Sequence, residues 1–265
     1  MKKIGIVPAY NEERTITKVL SDLMAVVDYI IVINDGSTDD TETNVLSWSK
    51  ENPGFDLCLI TLKKNMGMAK ALKVAFAKIS TSLKNKEIGP DDLVVTFDAD
   101  DQFDARQIDK LIAYMNEHDL DAILAQRNFS KYPVFKRAGN KVMSLWASLL
   151  SGYYYRDVEC GLRILKVHTV PKFLKYLTGV RYSHSQEMGI IIPRLGYKKS
   201  NEPFVNINYY RSRTHLKDAL INPAMALIAL IKVTLKLEQT EIWEMKEIKK
   251  ICASQGKTIK PPRLP

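Results

Sequence analysis

The stretch Leu93-Val94-Val95-Thr96-Phe97-Asp98-Ala99-Asp100-Asp101-Gln102 carries the most information about this chain. An apolar run of strand length ends in two carboxylates at alternate positions. Alternate side chains of a strand point to one side, so Asp98 and Asp100 are expected to face together beyond its carboxyl end. Hard divalent cations prefer oxygen ligands, and Mg²⁺ or Mn²⁺ is commonly held by one or two carboxylates plus water and substrate phosphates. Gln102, two positions on, can add a carbonyl. Taken alone, the same residues also suit a turn in which Asp101 or Asp104 caps the next helix.

On either side of this stretch, similar apolar runs recur at Lys3 to Val7, Tyr29 to Asn34, Leu57 to Leu62 and Ala122 to Ala125. Helical periods separate them, at about Glu12 to Ala25, Asp39 to Lys50, Met68 to Ser80 and Ala105 to Glu117. In the first, Asn11 is the expected cap, and Ile16, Val19, Leu20, Leu23 and Met24 make the apolar stripe. Strands alternating with crossover helices predict an open α/β sheet. Ligands bind such sheets beyond the strands' carboxyl ends, at a topological switch point. The polar clusters fall there: Pro8-Ala9-Tyr10-Asn11-Glu12 after strand one, Asn34-Asp35-Gly36-Ser37 after strand two, and the acidic pair after strand four. In Lys64-Asn65-Met66-Gly67-Met68-Ala69-Lys70, a glycine turn opens a helix, so Lys70 and backbone N–H groups can face a phosphate.

After about residue 126 the alternation gives way to an amphipathic segment at Lys136 to Leu150, a strand-like Leu162 to Leu165 and a helical Ser185 to Leu195. A C-terminal helix is expected from Asn222-Pro223, cap and first turn, to about Leu237. Its length of about 22 Å at 1.5 Å per residue falls short of a hydrocarbon core of roughly 30 Å. With Lys232 and Lys236 on one face, it reads either as a core-packing helix or as an interfacial one with lysines at headgroups. A second amphipathic helix is expected over Thr240 to Cys252. The organisation predicted is therefore an α/β domain over 1–217, amphipathic helices over 218–256 and a tail over 257–265.

The 265 residues are 46% apolar and 26% charged, enough for a sizeable core, and the net charge of +9 suggests anionic partners. Cys58, Cys160 and Cys252 form no CxxC pair, which argues against a zinc site or disulfide framework and for a reducing compartment. The apolar stretch at the N-terminus is too short for a signal peptide, and no run of about 20 apolar residues offers a spanning helix. Residence on the cytoplasmic side, peripheral to the membrane face, is the expectation.

Together, Ile6-Val7-Pro8-Ala9-Tyr10-Asn11-Glu12-Glu13, Asn34-Asp35-Gly36-Ser37-Thr38-Asp39, Asn65-x-Gly67 and Asp98-Ala99-Asp100 resemble, in order and spacing, glycosyltransferase family 2 of the GT-A fold. Asp98-x-Asp100-x-Gln102, Gln126-Arg127, Asp157-x-x-Cys160-Gly161-Leu162-Arg163 and Glu202-Pro203-Phe204-Val205 are most similar to its dolichyl-phosphate mannose synthase-like branch. The branch's basic R-x-x-G-x-S stretch has its counterpart in Arg211 to Lys217, without the glycine. The resemblance implies an open, mainly parallel nucleotide-binding sheet and an inverting transfer of a hexose from a nucleotide-sugar, of GDP-mannose or UDP-glucose type. Pro8, Tyr10, Glu12, Asp35 and Asn65 would line the donor pocket with Lys70, while Asp98, Asp100 and Gln102 hold Mg²⁺ or Mn²⁺ on the diphosphate. A polyprenyl or dolichyl phosphate acceptor needs no strong base, since its oxygen is largely ionised near neutrality. Arg127, Arg137, Arg163, Arg211 and Arg213 are the candidates to grip it. A hydroxyl acceptor on a glycan or glycolipid would need a base, for which Asp157 and Glu187 are available. His184 and His215 read as structural or surface residues.

With a lipid acceptor, attachment to a membrane surface or pairing with a membrane subunit is expected. A nucleotide-dependent oxidoreductase would need G-x-G-x-x-G after strand one, where Pro-Ala-Tyr-Asn-Glu stands instead. A nucleic-acid-binding module is the non-enzymatic alternative to which the charge points. The basic residues are scattered and carry no nucleic-acid motif, so no nucleic-acid partner is expected.

Overall fold

The computed structural model of the chain describes residues 1–208, 218–238 and 248–253. Strands β1 (Lys3–Ala9), β2 (Tyr29–Asn34), β3 (Asp56–Leu62) and β4 (Leu93–Thr96) alternate with helices α1 (Ile16–Met24), α2 (Thr41–Glu51) and α3 (Met68–Lys84). Helix α4 (Gln107–Glu117), β5 (Ala122–Leu124), β6 (Gln126–Arg127), α5 (Val134–Ser151), β7 (Arg163–Lys166) and α6 (Val170–Leu174) follow. The remaining elements are α7 (His184–Arg194), β8 (Lys199–Ser200), β9 (Phe204–Val205), α8 (Asp218–Thr234) and β10 (Ile248–Ala253).

The main sheet has the order β10-β3-β2-β1-β4-β7-β5-β8. The pairs β3–β2, β2–β1, β1–β4 and β5–β8 are parallel, while β7 runs antiparallel to both its neighbours and β10 to β3. Strand order reverses between β1 and β4, and the Tyr10 loop and the acidic pair leave the sheet there. Alternate strand residues enter two cores. Ile31, Ile33 and Ile60 pack with α3, α6, α7 and α8, whereas Ile30, Val32 and Leu59 pack with α1, α2 and α4. Burial on both faces is what near-continuous apolar strands of a parallel sheet require.

Several expectations are corrected. Helix α1 begins at Ile16, not Glu12, because Asn11 is left-handed (φ 53°) and its side chain accepts from the Thr38 N–H at 2.9 Å instead of capping. Strand β4 ends at Thr96, not Asp98, and Thr96 Oγ1 is tied to Gly161 O at 2.6 Å. Helix α8 starts at Asp218 and carries Asn222 and Pro223 inside it, so Asn222 is no cap. Lys232 turns inward, its ammonium nitrogen buried, rather than reaching outward as a headgroup lysine would. Ile248–Ala253 forms an antiparallel strand on β3 rather than part of a helix, while 239–247 and the expected tail lie outside the described residues. The expected boundary at 217 also lies outside them, yet Ala226, Ala229 and Val233 of α8 share one core with α5 and α7.

Helix α5 is apolar on two sides. Met143, Trp146 and Leu150 pack toward the core beside Ser144, Ala147, Ser148 and Ser151, while Val142, Leu145 and Leu149 lie outward at 63%, 67% and 72% exposure. The inward serines accept hydrogen bonds from backbone amides. Ser144 Oγ accepts from the Val158 N–H at 3.1 Å, Ser148 Oγ from Tyr155 at 2.8 Å and Ser151 Oγ from Tyr153 at 3.1 Å. They thereby satisfy the backbone of the irregular 153–158 segment, which buried amides require.

Candidate functional site

The loops at the switch point enclose a cavity of about 900 Å³. Its donor-side wall contains Pro8, Tyr10, Glu12, Asp35 and Asn65, and its floor Asp98, Asp100 and Gln102. Glycines let these loops meet. Gly36 (φ 67°) lies where a Cβ would sit 2.4 Å from the Lys64 carbonyl carbon, and at Gly67 (φ 92°) a Cβ would come 2.9 Å from Arg181 Cα. Both left-handed conformations favour glycine on backbone grounds as well. Asp35 is buried and accepts from the Met66 and Gly67 N–H groups, each at 2.8 Å. Burial raises its pKa against those two bonds. Each oxygen keeps a second lone pair for a ligand, and the carboxylate also fixes the turn that opens α3.

Asp98 lies against Gly161, where a Cβ would come 2.3 Å from Asp98 Oδ2. Burial and the neighbouring Asp100 charge push the Asp98 carboxyl up to about 7, opposed by Arg163 and Arg127. Around the cavity stand the carboxylates of Glu12, Asp35, Asp98, Asp100 and Glu159 and the cations of Arg127, Lys136 and Arg181. A diphosphate entering this wall adds negative charge to an acidic floor, so the donor set of Asp98, Asp100 and Gln102 suits a divalent cation placed between them. Among the described residues no cluster of three His, Cys, Asp or Glu side chains has metal-binding geometry.

The expected acceptor and base residues divide. Arg127 lines the cavity, but its fork is engaged: Nε donates to Asp157 Oδ2 at 2.8 Å, and Nη2 to Asp157 Oδ1 at 2.9 Å and Asn140 Oδ1 at 2.8 Å. It also lies over the rings of Phe129 and Tyr132, at 5.2 and 5.7 Å. Asp157 is fully enclosed; burial raises its pKa, but Arg127's charge and hydrogen bonds outweigh this and hold it below the usual range. It is committed to Arg127 and is not placed to take an acceptor's proton. Glu187 is likewise sealed, accepting from the Thr178 N–H and the Ser183 hydroxyl. Arg163 is buried, donating to Val158 O at 3.0 Å, and Arg137 is exposed on α5; neither lines the cavity. Lys70 is half-buried on α3, outside the lining. Arg211, Arg213 and His215 lie outside the described residues.

Sequence reasoning missed Glu159, Arg181, Tyr182 and Lys136, all on the cavity wall, and assigned His184 no part in it. Only the short separation of Glu159 from Asp157 and Gly161 could have pointed to the first. Glu159 accepts from Gln186 Nε2 at 2.6 Å, and burial raises its pKa. Among the described residues after 126, it is the one carboxylate that lines the cavity.

An open α/β sheet with an acidic floor and three cationic side chains at its switch point defines a site for a phosphorylated, metal-bound nucleotide. Residues 6–170 match the family model for glycosyl transferase family 2, and the chain belongs to that family. An uncharacterised protein of Methanocaldococcus jannaschii is 30% identical over 213 residues, covering 78% of this chain and 88% of its own. The UDP-N-acetylglucosamine–dolichyl-phosphate N-acetylglucosaminyltransferase of Methanococcus voltae is 30% identical over 202 residues, 70% of this chain and 78% of that protein. The undecaprenyl-phosphate 4-deoxy-4-formamido-L-arabinose transferase of Yersinia pestis is 26% identical over 74% of this chain and 55% of its own. The fold is that of the glucosyl-3-phosphoglycerate synthase of Mycobacterium tuberculosis, crystallised with Mn²⁺ and UDP-glucose (TM-score 0.59, 17% identity, 88% and 79% covered). It is equally that of a mannosyltransferase of Pyrobaculum calidifontis crystallised with GDP-mannose and Mn²⁺ (TM-score 0.55, 19% identity, 89% and 64% covered).

Proposed function

We propose that this glycosyltransferase moves a sugar from a UDP-type nucleotide-sugar to the phosphate of a polyprenyl phosphate, working from the cytoplasmic face of a membrane. The observation that carries the lipid acceptor is the outward apolar face of α5. Phe135 and Lys136 of this helix line the cavity, and the helix continues outward as Val142, Leu145 and Leu149, with Arg137 and Lys141 beside them. Leu227, Ile228 and Ile231 of α8, which packs on α5 through Trp146 Nε1 to Pro223 O at 3.2 Å, extend the apolar exposure. Apolar side chains flanked by cations at a cavity mouth suit an anionic bilayer surface. There a lipid phosphate can enter while its chain stays among lipids. No described helix is long and apolar enough to cross a membrane. The donor type follows the N-acetylglucosaminyltransferase relative, and the phosphate acceptor follows both named relatives.

Pro8, Tyr10 and Asp35, which line the cavity, would hold the base and ribose. Asp98, Asp100 and Gln102 would hold Mg²⁺ or Mn²⁺, which offsets the charge growing on the departing diphosphate. Arg181 and Lys136 supply fixed positive charge at the other wall, and Arg127, held by Asp157, keeps the wall between them rigid. A phosphate oxygen needs no proton removed, so the sealing of Asp157 and Glu187 would not hinder the transfer.

The test incubates the full chain with UDP-sugars, Mn²⁺ and polyprenyl phosphate in vesicles containing phosphatidylglycerol. Sugar linked to the lipid phosphate is expected, together with vesicle binding that falls in Leu145→Asp/Leu149→Asp. Transfer only to soluble hydroxyl acceptors, or self-association through these leucines with no vesicle binding, would refute the reading.

A further inference from the structure

Two polar side chains left unused so far meet the inner wall of the cavity. His184 opens α7 and Asn222 lies one turn into α8; both line the cavity, at only 4% and 5% exposure. His184 Nδ1 and the Asn222 side-chain carbonyl have no hydrogen-bond partner among the described residues. Buried polar atoms are nearly always paired, and an unpaired one is destabilising. Two of them on one cavity lining mark where a ligand's own polar atoms go.

A chain of contacts ties the first turn of α7 to the acidic floor. Gly161 lies against Asp98, Glu159 lies two residues before it, and Glu159 accepts from Gln186 in the first turn of α7. Gln186 also reaches Met143 O on α5 at 3.4 Å. His184, Asn222 and Met143 line the same cavity as Asp98, Asp100 and Gln102, into which the group esterified to a bound diphosphate would extend.

The chemistry of this wall is neutral and specific. His184 Nε2 is 3.3 Å from Ser185 Oγ. With the serine hydroxyl donating to Nε2, Nδ1 carries the proton and is a donor, while the Asn222 carbonyl is an acceptor. Burial, reinforced by the Arg163 charge, holds the His184 pKa well below its ordinary value, so the ring does not add a cation for a second phosphate. Met68, Ala71 and Met143 line the same cavity with apolar atoms. One donor, one acceptor and an adjacent apolar surface complement an acylamino group: carbonyl to His184, N–H to Asn222, methyl against the methionines. We propose that His184 and Asn222 recognise the acetamido group of an N-acetylated amino sugar on the donor. Both residues lie beyond residue 170, where the family match ends. The inference rests on the nucleotide-sugar transferase reading and narrows its donor.

The full chain is titrated by calorimetry with UDP-N-acetylglucosamine, UDP-glucose and UDP in the presence of Mn²⁺. The acetylated sugar should bind at least about tenfold tighter than UDP-glucose, the scale of leaving buried polar groups unpaired. Asn222→Leu and His184→Phe should each erase that preference. UDP lacks the sugar, so its unchanged affinity in the same variants reports an intact fold and donor site. Equal affinities for the two sugars in the native chain, or a preference that survives both substitutions, would overturn the inference and leave the transferase reading standing. A native chain that binds none of the three overturns both.

Discussion

Gly161→Ala tests how the acidic floor is built. The φ of Gly161 is outside the left-handed region, so an alanine acts there through space alone. Its Cβ would stand 2.3 Å from Asp98 Oδ2 and 2.9 Å from Asp98 Cγ and Oδ1. Ordinary contact begins at 3.4 Å, so the carboxylate must retreat by about 1 Å, several times the tolerance of roughly 0.2 Å in a metal–ligand distance. Gly161 O is itself held by Thr96 Oγ1 at 2.6 Å, which leaves the backbone little room to give way. Disturbing the support of a ligand typically costs about 10- to 100-fold in metal affinity, and overpacking costs about 1–3 kcal/mol of stability. The assay measures Mn²⁺-dependent binding of UDP by calorimetry alongside thermal unfolding. The expected outcome is a Tm lowered by several degrees and metal-dependent affinity reduced at least tenfold. Native Mn²⁺-dependent affinity in the variant would refute the placement of Asp98 at the metal.

Two further outcomes follow from buried ionisable groups. Asp157→Asn leaves Arg127 without its carboxylate and should lower stability by about 3–5 kcal/mol, as breaking a buried pair does, read by urea unfolding. Because the folded pKa of Asp157 lies below its unfolded value, its contribution is complete above about pH 4 and disappears as pH falls through the folded pKa; the variant's acid transition should lack that component. His184 is the converse residue type with the same sign. Its folded pKa is depressed, so its contribution to stability is complete above about pH 6.5 and declines at lower pH by up to about 1.4 kcal/mol per pH unit. Urea unfolding at several pH values should show that slope in the native chain and its loss in His184→Gln; an unchanged slope would count against a buried neutral imidazole.

The donor half was legible because its information is local. A strand end, a glycine turn and an acidic pair each occupy a few consecutive residues, and the parallel sheet brings strand ends together by rule. Asp98, Asp100, Gln102, Pro8, Tyr10, Glu12, Asp35 and Asn65 accordingly all line one cavity. The acceptor half was less legible because its residues acquire meaning only from tertiary partners. Nothing near Asp157 in sequence announces that Arg127 closes on it from 30 residues away, and nothing near Glu187 shows that the 178–183 loop seals it. Asn222 has the composition of a cap, but the helix starts four residues earlier and carries it inward. The segment from Thr240 to Cys252 has a helical pattern, yet backbone pairing with β3 makes Ile248–Ala253 a strand.

Helix α5 is apolar on two sides, with Met143, Trp146 and Leu150 toward the core and Val142, Leu145 and Leu149 toward solvent. Serines stand among the inward residues because of the 153–158 segment. It leads into Glu159 and Gly161, and its irregular backbone leaves the N–H groups of Tyr153, Tyr155 and Val158 to be satisfied by Ser151, Ser148 and Ser144. Each buried amide left unpaired would cost about 1–3 kcal/mol, comparable to the roughly 1.5–3 kcal/mol from burying one leucine. The inward serines therefore contribute through that segment's backbone rather than through apolar burial. A bilayer at the cavity mouth would bury the outward apolar face as well, so on the proposed function one helix would support the acidic floor from within and receive the lipid from without.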